Sequence, residues 1–190
     1  MPRKPIVLAS QSPRRRQLLE WAEISFEVIV QSTDETFPDH LPVDEVPVYI
    51  ARQKAIAVRE KVQNNNIIIA ADTIVVLGNE IIGKPGNREH AINILTQLSG
   101  QKHQVITGVI ISDGEKEIAF SDITDVWFHE LTQEQITFYV DKYKPYDKAG
   151  AYAIQEWIGV TGIKSIRGDF YNVMGLPVSR VVQELKKFAE

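Results

Sequence analysis

The chain has 190 residues, of which 44% are hydrophobic and 24% charged, a composition typical of a folded globular protein and not of intrinsic disorder. Its 21 lysines and arginines against 25 aspartates and glutamates give a formal charge of −4, so no long nucleic acid is expected as a partner. The absence of cysteine excludes disulfides, thiolate catalysis and cysteine-ligated metal centres. No apolar run approaches 18 residues and no signal peptide is recognised, so we expect no membrane span and a cytoplasmic location.

The first half of the chain alternates predicted strands and helices. A short strand at 5–10 precedes Ser12-Pro13, where serine is a good N-cap and proline suits the first helical position. Alternating apolar residues predict a second strand at 24–31, and a helical stripe predicts a helix at 46–62. A long strand is predicted at 67–77, followed by a hairpin turn at Gly78-Asn79 and a return strand at 80–82.

The second half continues with both kinds of element. A helix is predicted at 87–98 and two strands at 104–112 and 116–129. The pattern Thr132-x-x-Gln135 is a capping box, which predicts a helix reaching about residue 142. The remainder is predicted as a loop at 144–155, a strand at 160–167 and an amphipathic closing helix at 176–189. This order favours an α/β fold with a mixed β-sheet and flanking helices over an all-parallel sheet.

Three arginines, Arg14, Arg15 and Arg16, fill the first turn of the helix predicted after Ser12. The helix dipole makes this end unfavourable for cations. Backbone N–H groups at a helix N-terminus bind anions, and arginines there can add bidentate contacts to a phosphate. The cluster therefore indicates either a site for a polyanion or a solvated basic helix end, and the spacing alone does not choose between them.

Asp72 stands inside the apolar run Ile67–Leu77. Aspartate is disfavoured in strands and costly to bury without a partner, so we expect this carboxylate to be paired with a cation or to be functional. It could hold a metal ion or activate a water molecule. A structural aspartate bonded to backbone at a strand end is the alternative, and the cost of burial favours function.

Two further segments carry polar groups of less specific meaning. The segment from Gly78 to Lys84 nearly matches a phosphate-binding loop, but Pro85 supplies no hydroxyl for magnesium and the hairpin makes the segment a strand. Lys84 could still act alone. In the stretch 147–155, Gln155 could read a base edge through paired hydrogen bonds, but the residues alone favour a surface loop there.

Ten short segments, in order along nearly the whole chain, together resemble the Maf family of nucleoside triphosphate pyrophosphatases. The pattern around Gln155 is similar to the branch that prefers dTTP and UTP. The matching segments are Leu8-Ala-Ser-x-Ser-Pro-Arg-Arg15, Asp34-Glu-Thr36, Lys54-Ala55, Ala71-Asp-Thr-x-Val-Val76, Gly83-Lys-Pro85, Leu98-Ser-Gly100, Thr107-Gly-Val109, Asp147-Lys-Ala-Gly-Ala-Tyr-x-Ile-Gln155, Gly168-Asp169 and Asn172-Val-x-Gly-Leu-Pro177.

The resemblance implies hydrolysis between the α- and β-phosphates, which releases a nucleoside monophosphate and pyrophosphate. It implies a divalent cation such as Mg²⁺ or Mn²⁺, a homodimer, and a single Maf-like domain over residues 1–190 whose two lobes surround a central cleft, as in the ITPase-like fold. The substrate that the resemblance implies is a normal nucleotide or a modified one removed as house-cleaning. Carried over by position, the implied roles are Asp72 as proton acceptor, Glu35 with Asp72 as metal ligands, Arg14, Thr73 and Gln155 in substrate choice, Arg15, Lys54 and Lys84 on the phosphates, and Ser10 in the substrate site.

The departures from the family pattern lie around Gln155. Lys144-Pro145 stands where Gly-Glu-Pro is frequent, Ala153 replaces a common glycine, and Glu156-Trp157 follows where glycine is usual. They affect the expected base preference more than the reaction. Two other functions stay open: a nucleotide- or nucleic-acid-binding regulator of septum formation without turnover, and a structural α/β module.

Overall fold

The computed structural model describes residues 4–62 and 65–188. The strands are β1 (Ile6–Leu8), β2 (Glu27–Val28), β3 (Ile67–Leu77), β4 (Glu80–Ile82), β5 (Lys102–Ser112), β6 (Glu117–Phe128) and β7 (Ile163–Arg167). The helices are α1 (Pro13–Trp21), α2 (Val46–Arg59), α3 (Arg88–Leu98), α4 (Gln133–Tyr143), α5 (Trp157–Gly162), α6 (Phe170–Met174) and α7 (Val178–Leu185), with short 3-10 turns at Ala149–Ala151 and Lys186–Phe188. None of the helices described at 4–62 and 65–188 is long and apolar enough to cross a membrane.

The strands form one mixed sheet in the order β2-β1-β3-β5-β6-β7, with β4 paired to β3. Strand β1 runs parallel to both β2 and β3, and Leu8 lies opposite Val28 on one side and Ile69 on the other. By contrast, β4 is antiparallel to β3 and β7 is antiparallel to β6. The predicted α/β fold class, a mixed sheet with flanking helices, is confirmed.

The chain divides into two compact units, each with its own apolar core. The first unit comprises Met1–Thr73, Thr107–Asp122 and Gly175–Glu190, and the second comprises Ile74–Ile106 and Ile123–Met174. Small and β-branched residues make up the first core, which includes Val7, Ala9, Ala51, Ala55, Val58, Ile68, Ala70 and Ile110. Larger side chains make up much of the second, which includes Ile94, Leu95, Leu98, Phe128, Ile136, Tyr139, Tyr152 and Ile158.

Local signals in the sequence account for several element boundaries. The Ser12 hydroxyl caps α1 by accepting a hydrogen bond from the Arg15 backbone N–H, and both halves of the predicted capping box at Thr132 and Gln135 are present at the start of α4. The hairpin at Gly78 forms with a φ of 61° at that glycine, which L-residues rarely adopt. These three predictions are confirmed.

Two predicted strands differ from the structure. The strand predicted at 24–31 shrinks to the two residues of β2, and residues 160–162 belong to α5, so that β7 starts only at Ile163. Val160 is 82% exposed, which a strand prediction based on apolar alternation does not anticipate. The closing helix is also shorter than predicted, since α7 ends at Leu185, and its predicted end at residue 189 lies outside the described residues.

His103, on β5 in the second unit, is a buried histidine that makes stability depend on pH. Its Nε2 lies 2.7 Å from the hydroxyl of Tyr152, and burial lowers the pKa of the ring to about 4. The unfolded chain takes up this proton near pH 6.5, so between pH 6.5 and 4 it binds more protons than the folded chain. The contribution of His103 is therefore complete above pH 6.5 and is lost as the pH falls toward 4.

We expect the unfolding free energy to fall by about 3 kcal/mol across this interval, because one pKa unit corresponds to about 1.4 kcal/mol. Urea titrations at several pH values measure it, and His103→Gln is expected to flatten the dependence, whereas His40→Gln, at an exposed position, is not. The hydrogen bond from Lys4 lowers the pKa of Asp113 to about 2. Carboxylates of this kind therefore change the unfolding free energy only below pH 4. An equally steep dependence in His103→Gln would contradict this assignment.

Candidate active site

The three arginines of α1 have different surroundings in the first unit. Arg15 is buried, Arg14 is half-buried and Arg16 is exposed. The three neighbouring side chains of the predicted basic cluster therefore differ in their access to solvent. Arg16 lies in solvent, the alternative that the sequence left open for the whole cluster.

The guanidinium of Arg15 is held by four hydrogen bonds from the protein itself. Nε donates to the backbone carbonyl of Gly175 at 2.7 Å, Nη1 donates to the carbonyl of Ala71 at 2.8 Å and to Oγ of Ser10 at 3.1 Å, and Nη2 donates to Oγ1 of Thr73 at 2.9 Å. An arginine has five N–H groups, so these contacts engage four of them. Arg15 therefore ties together the end of β1, the middle of β3 and the segment before α7.

The carboxylates near Arg15 offset part of the cost of its burial. Burial lowers the pKa of the Arg15 guanidinium, the carboxylate of Asp72 opposes this, the neighbouring Arg14 adds to the lowering, and Glu35 again opposes it. The group stays protonated, because arginine does not lose its charge in proteins. A positive charge is thereby fixed inside the first unit, beside the aspartate predicted to be functional.

Thr107, which lies in one of the segments that resemble the family, completes this network. The Oγ1 of Thr73 accepts from Arg15, lies 2.9 Å from Oγ1 of Thr107 and 3.4 Å from the carbonyl of Gly175. Thr107 is fully buried on β5, so the position of the Thr73 hydroxyl is set by fixed partners. The only hint in the sequence was the segment Thr107-Gly-Val109, which does not reveal a pairing across 34 residues.

Asp72 forms an ion pair with Lys54, and Glu35 contacts the same ammonium group. Nζ of Lys54 lies 2.7 Å from Oδ1 of Asp72 and 2.7 Å from Oε1 of Glu35. Lys54 reaches this position because Ile50 and Val58, one turn away on either side, bury the same stripe of α2. The carboxylate predicted to be paired or functional is paired, and the structure joins three of the predicted site residues around one point.

The two carboxylates offer the kind of oxygen ligands that a magnesium or manganese ion takes in proteins. Glu35 and Asp72 both place an oxygen against one cation, the ammonium of Lys54. Mg²⁺ is commonly bound through one or two carboxylates, with substrate phosphates and water completing its shell. Within the described ranges 4–62 and 65–188, no group of three or more histidines or carboxylates forms a site supplied by the protein alone.

The predicted site residues divide between the two units. Hydrogen bonds connect one set of these residues, Ser10, Arg15 and Thr73. Ion pairs connect a second set, Glu35, Lys54 and Asp72. The two sets are adjacent because Asp72 and Thr73 are consecutive in the chain. Ser10 is buried, with its Oγ also accepting from the Ser12 backbone N–H at 3.2 Å. The predicted site residues of the first unit are Ser10, Arg14, Arg15, Glu35, Lys54, Asp72 and Thr73, and those of the second are Lys84 and Gln155.

Within the second unit, the segments that carry Lys84 and Gln155 are in contact. The backbone N–H of Gly150 donates to the carbonyl of Gly83 at 3.2 Å, one residue before Lys84. Gly150 has a φ of 69°, and a Cβ atom there would lie 2.9 Å from the Val75 side chain. This glycine lets the 147–155 segment pass close to β3, and both Lys84 and Gln155 remain exposed.

Comparison with known proteins identifies a family. The Maf family pattern, described as Maf-like protein, matches residues 5–188. A dTTP/UTP pyrophosphatase of Cytophaga hutchinsonii is 52% identical over 96% of this chain and 83% of that protein. Proteins of the same name from Parabacteroides distasonis and Bacteroides thetaiotaomicron are 52% and 48% identical, each over 96% of this chain and 95% of the relative.

Among solved structures, the crystal structure of a nucleoside-triphosphatase / dITP/XTP pyrophosphatase from Mycobacterium abscessus is 12% identical, with a TM-score of 0.42. The match covers 67% of this chain and 75% of the Mycobacterium abscessus chain, and at this identity and TM-score it does not bear on function. The family match and the relatives that are about half identical bear out the predicted resemblance. The chain belongs to the Maf family.

Proposed function

We propose that this protein is a nucleoside triphosphate pyrophosphatase that hydrolyses dTTP and UTP, normal or modified, to the nucleoside monophosphate and pyrophosphate. The observation that carries the proposal is the convergence of Asp72, Glu35 and Lys54 within 2.7 Å contacts. Beside it stands the fixed charge of Arg15. The names of the similar proteins support the same reaction and the same bases.

Asp72 acts as the proton acceptor in this proposal. A water molecule attacks the phosphate anhydride, its oxygen forms the new bond to phosphorus, and its proton passes to a carboxylate oxygen of Asp72. The bridge between the α- and β-phosphates breaks and pyrophosphate leaves with the bond electrons. Phosphoryl transfer depends mostly on positioning and charge neutralisation, so an oriented carboxylate among cations is sufficient equipment.

The cations neutralise the polyphosphate. Lys54 and Lys84 contact phosphate oxygens in the proposal, and Arg15 contributes its fixed charge and the one N–H group beyond its four protein contacts. Glu35 and Asp72 would hold a divalent cation, Mg²⁺ or Mn²⁺, which supplies further neutralisation of the phosphates. When the substrate binds, the Lys54 ammonium exchanges part of its carboxylate contact for a phosphate contact.

Substrate choice is assigned to Arg14, Thr73 and Gln155, with Ser10 lining the substrate site. The amide of Gln155 has both a donor and an acceptor, which match the imide edge that thymine and uracil share. We further propose that residues 1–190 act as a single domain of two lobes, that the protein forms a homodimer and that it works in the cytoplasm.

A panel of triphosphates tests the proposal. The protein is incubated with dTTP, UTP, dCTP, dATP, dGTP and methylated derivatives in the presence of Mg²⁺ or Mn²⁺, and pyrophosphate and orthophosphate are measured separately. We expect pyrophosphate from dTTP and UTP. No turnover on any triphosphate would contradict the enzyme proposal and favour a regulator without turnover, and orthophosphate as the product would contradict the assigned bond.

A further inference from the structure

Gln155 is an exposed residue between neighbours that are fixed. Ile154 on one side is buried, and the Glu156 backbone N–H on the other donates to the carbonyl of Ala153 at 3.1 Å, which closes a turn around Gln155. The carbonyl of Glu156 accepts from the Gly159 N–H at 2.9 Å. The backbone that carries the exposed amide is therefore tied on both sides.

A single buried hydroxyl joins the two ends of this turn. Tyr139, on α4, is fully buried, and its hydroxyl donates to the Oε2 of Glu156. The hydroxyl oxygen of Tyr139 in turn accepts a hydrogen bond from the backbone N–H of Ala153 at 3.2 Å. The acceptor oxygen of Glu156 therefore fixes the hydroxyl, which in turn fixes Ala153.

A lysine and a histidine support the same segment. Nζ of Lys148, whose side chain is only 10% exposed, lies 3.7 Å from Oε1 of Glu156 and 2.8 Å from Oδ1 of Asp147. His103 holds the Tyr152 hydroxyl at 2.7 Å. The charge of Glu156 is thus balanced by an ammonium group, and the chain leading to Gln155 is anchored before the turn begins.

Close backbone packing leaves this turn little room to relax. A Cβ atom at Gly159 would lie 1.7 Å from the carbonyl oxygen of Ile154, so the start of α5 rests directly on the turn. A side chain held in a preorganised position binds its ligand without the entropic cost of ordering the segment at that moment. The arrangement suits a residue that must present an amide in one orientation.

We propose that Tyr139 and Glu156 are positioning residues, which hold Gln155 so that its amide discriminates the pyrimidine base. This rests on the proposed function, in which Gln155 governs substrate choice. Gln155 is thereby held through a tyrosine 16 residues earlier in the chain and a glutamate beside it.

Four substitutions separate positioning from a general structural role. Tyr139→Phe removes the hydroxyl, and Glu156→Leu removes the carboxylate that accepts from it. Glu156→Gln keeps an acceptor oxygen and is the conservative variant expected to rescue. Tyr143→Phe is the matched control, because it also deletes a tyrosine hydroxyl, one turn later on α4. The ring of Tyr143 stacks on that of Tyr139, with the ring centroids 4.9 Å apart.

The measurement is kcat and KM, taken separately, for dTTP, UTP, dCTP and dGTP. For Tyr139→Phe and Glu156→Leu we expect KM for dTTP and UTP to rise about tenfold, the size of effect that loss of one hydrogen-bonded anchor typically has. Their kcat for dTTP is expected to change by about twofold at most, since the phosphate end is untouched. The preference over dGTP falls accordingly, and Glu156→Gln and Tyr143→Phe keep the wild-type preference.

Several results would overturn the inference. Unchanged preference in both Tyr139→Phe and Glu156→Leu would do so, as would an equal loss on all four triphosphates, because a merely structural residue lowers every rate alike. If Tyr139→Phe does not fold, Glu156→Leu and its rescue by Glu156→Gln decide the matter alone. A wild-type protein without turnover on any triphosphate is a different failure, that of the proposed function itself, and the inference falls with it.

Discussion

Replacing Asp72 with Asn is expected to abolish pyrophosphate release while nucleotide binding is retained. Asparagine has nearly the same shape and keeps an oxygen for the ammonium of Lys54, which now contacts Asp72 at 2.7 Å, but it cannot take a proton from water. Loss of a general base lowers rates by about 10²- to 10⁴-fold. Pyrophosphate release measures the rate, and equilibrium dialysis measures binding of dTTP to the inactive variant and of its α,β-methylene analogue to the wild type.

Asp141→Asn serves as the matched control. Asp141 is an exposed aspartate in the second unit whose carboxylate pairs with Arg88 at the surface, so its rate is expected to equal that of the wild type. Retention of more than about a tenth of the wild-type rate by Asp72→Asn would rule out Asp72 as the proton acceptor, given the usual size of that effect. Loss of binding together with activity would instead assign Asp72 a role in holding the ligand.

Replacing Arg15 with Lys is expected to have a second large effect, on stability as well as on activity. Lysine keeps the charge, but a single ammonium cannot reach Ser10, Thr73 and the carbonyls of Ala71 and Gly175 at the same time. Each buried acceptor left without a donor costs about 1–3 kcal/mol, so we expect the unfolding free energy to fall by about 2–4 kcal/mol after partial relaxation. Urea denaturation measures it.

Arg16→Lys is the control for this change. Arg16 follows Arg15 on α1 but is exposed, so the same substitution there takes place in solvent. The resemblance to the family implies that Arg15 contacts the phosphates, whereas its hydrogen bonds indicate a role in stability. The two roles predict different results for Arg15→Lys. If Arg15→Lys is as stable as the wild type and only its KM rises, Arg15 is mainly a phosphate ligand. A fall in stability, with kcat measured well below the unfolding temperature, supports the network described above.

Local chemistry made part of this fold predictable from the sequence. The turn at Gly78, the cap at Ser12 and the capping box at Thr132 each depend on residues within a few positions of one another, and each forms as predicted. The apolar run of β3 was equally clear, because seven of its eleven residues from Ile67 to Leu77 are β-branched. Such elements are specified by spacing alone.

Elements that depend on distant packing were not predictable in the same way. Helix α5 begins at Trp157 without a side-chain cap, and its close contact with the carbonyl of Ile154 needs a glycine at 159 that no local rule demands. Residues 160–162 therefore resembled part of a strand. The short β2 likewise depends on where β1 offers it a partner, which alternation cannot tell.

The candidate site shows the same division. Asp72 was singled out because a carboxylate inside an apolar strand requires an explanation, and the ion pair with Lys54 supplies part of it. The separate fate of Arg15 among three consecutive arginines could not be predicted, since its partners lie as far away as Gly175. The roles of Thr107, Tyr139 and Glu156 were missed for the same reason, because each acts across many residues of sequence.

The most direct test of the account is to identify the products of dTTP hydrolysis by ³¹P NMR, with Mg²⁺ present and Asp72→Asn in parallel. We predict resonances of dTMP and pyrophosphate alone from the wild type, and unchanged dTTP from Asp72→Asn over the same interval. Formation of dTDP and orthophosphate by the wild type would contradict the assigned bond. Equal formation of dTMP by Asp72→Asn would contradict the central role given to Asp72.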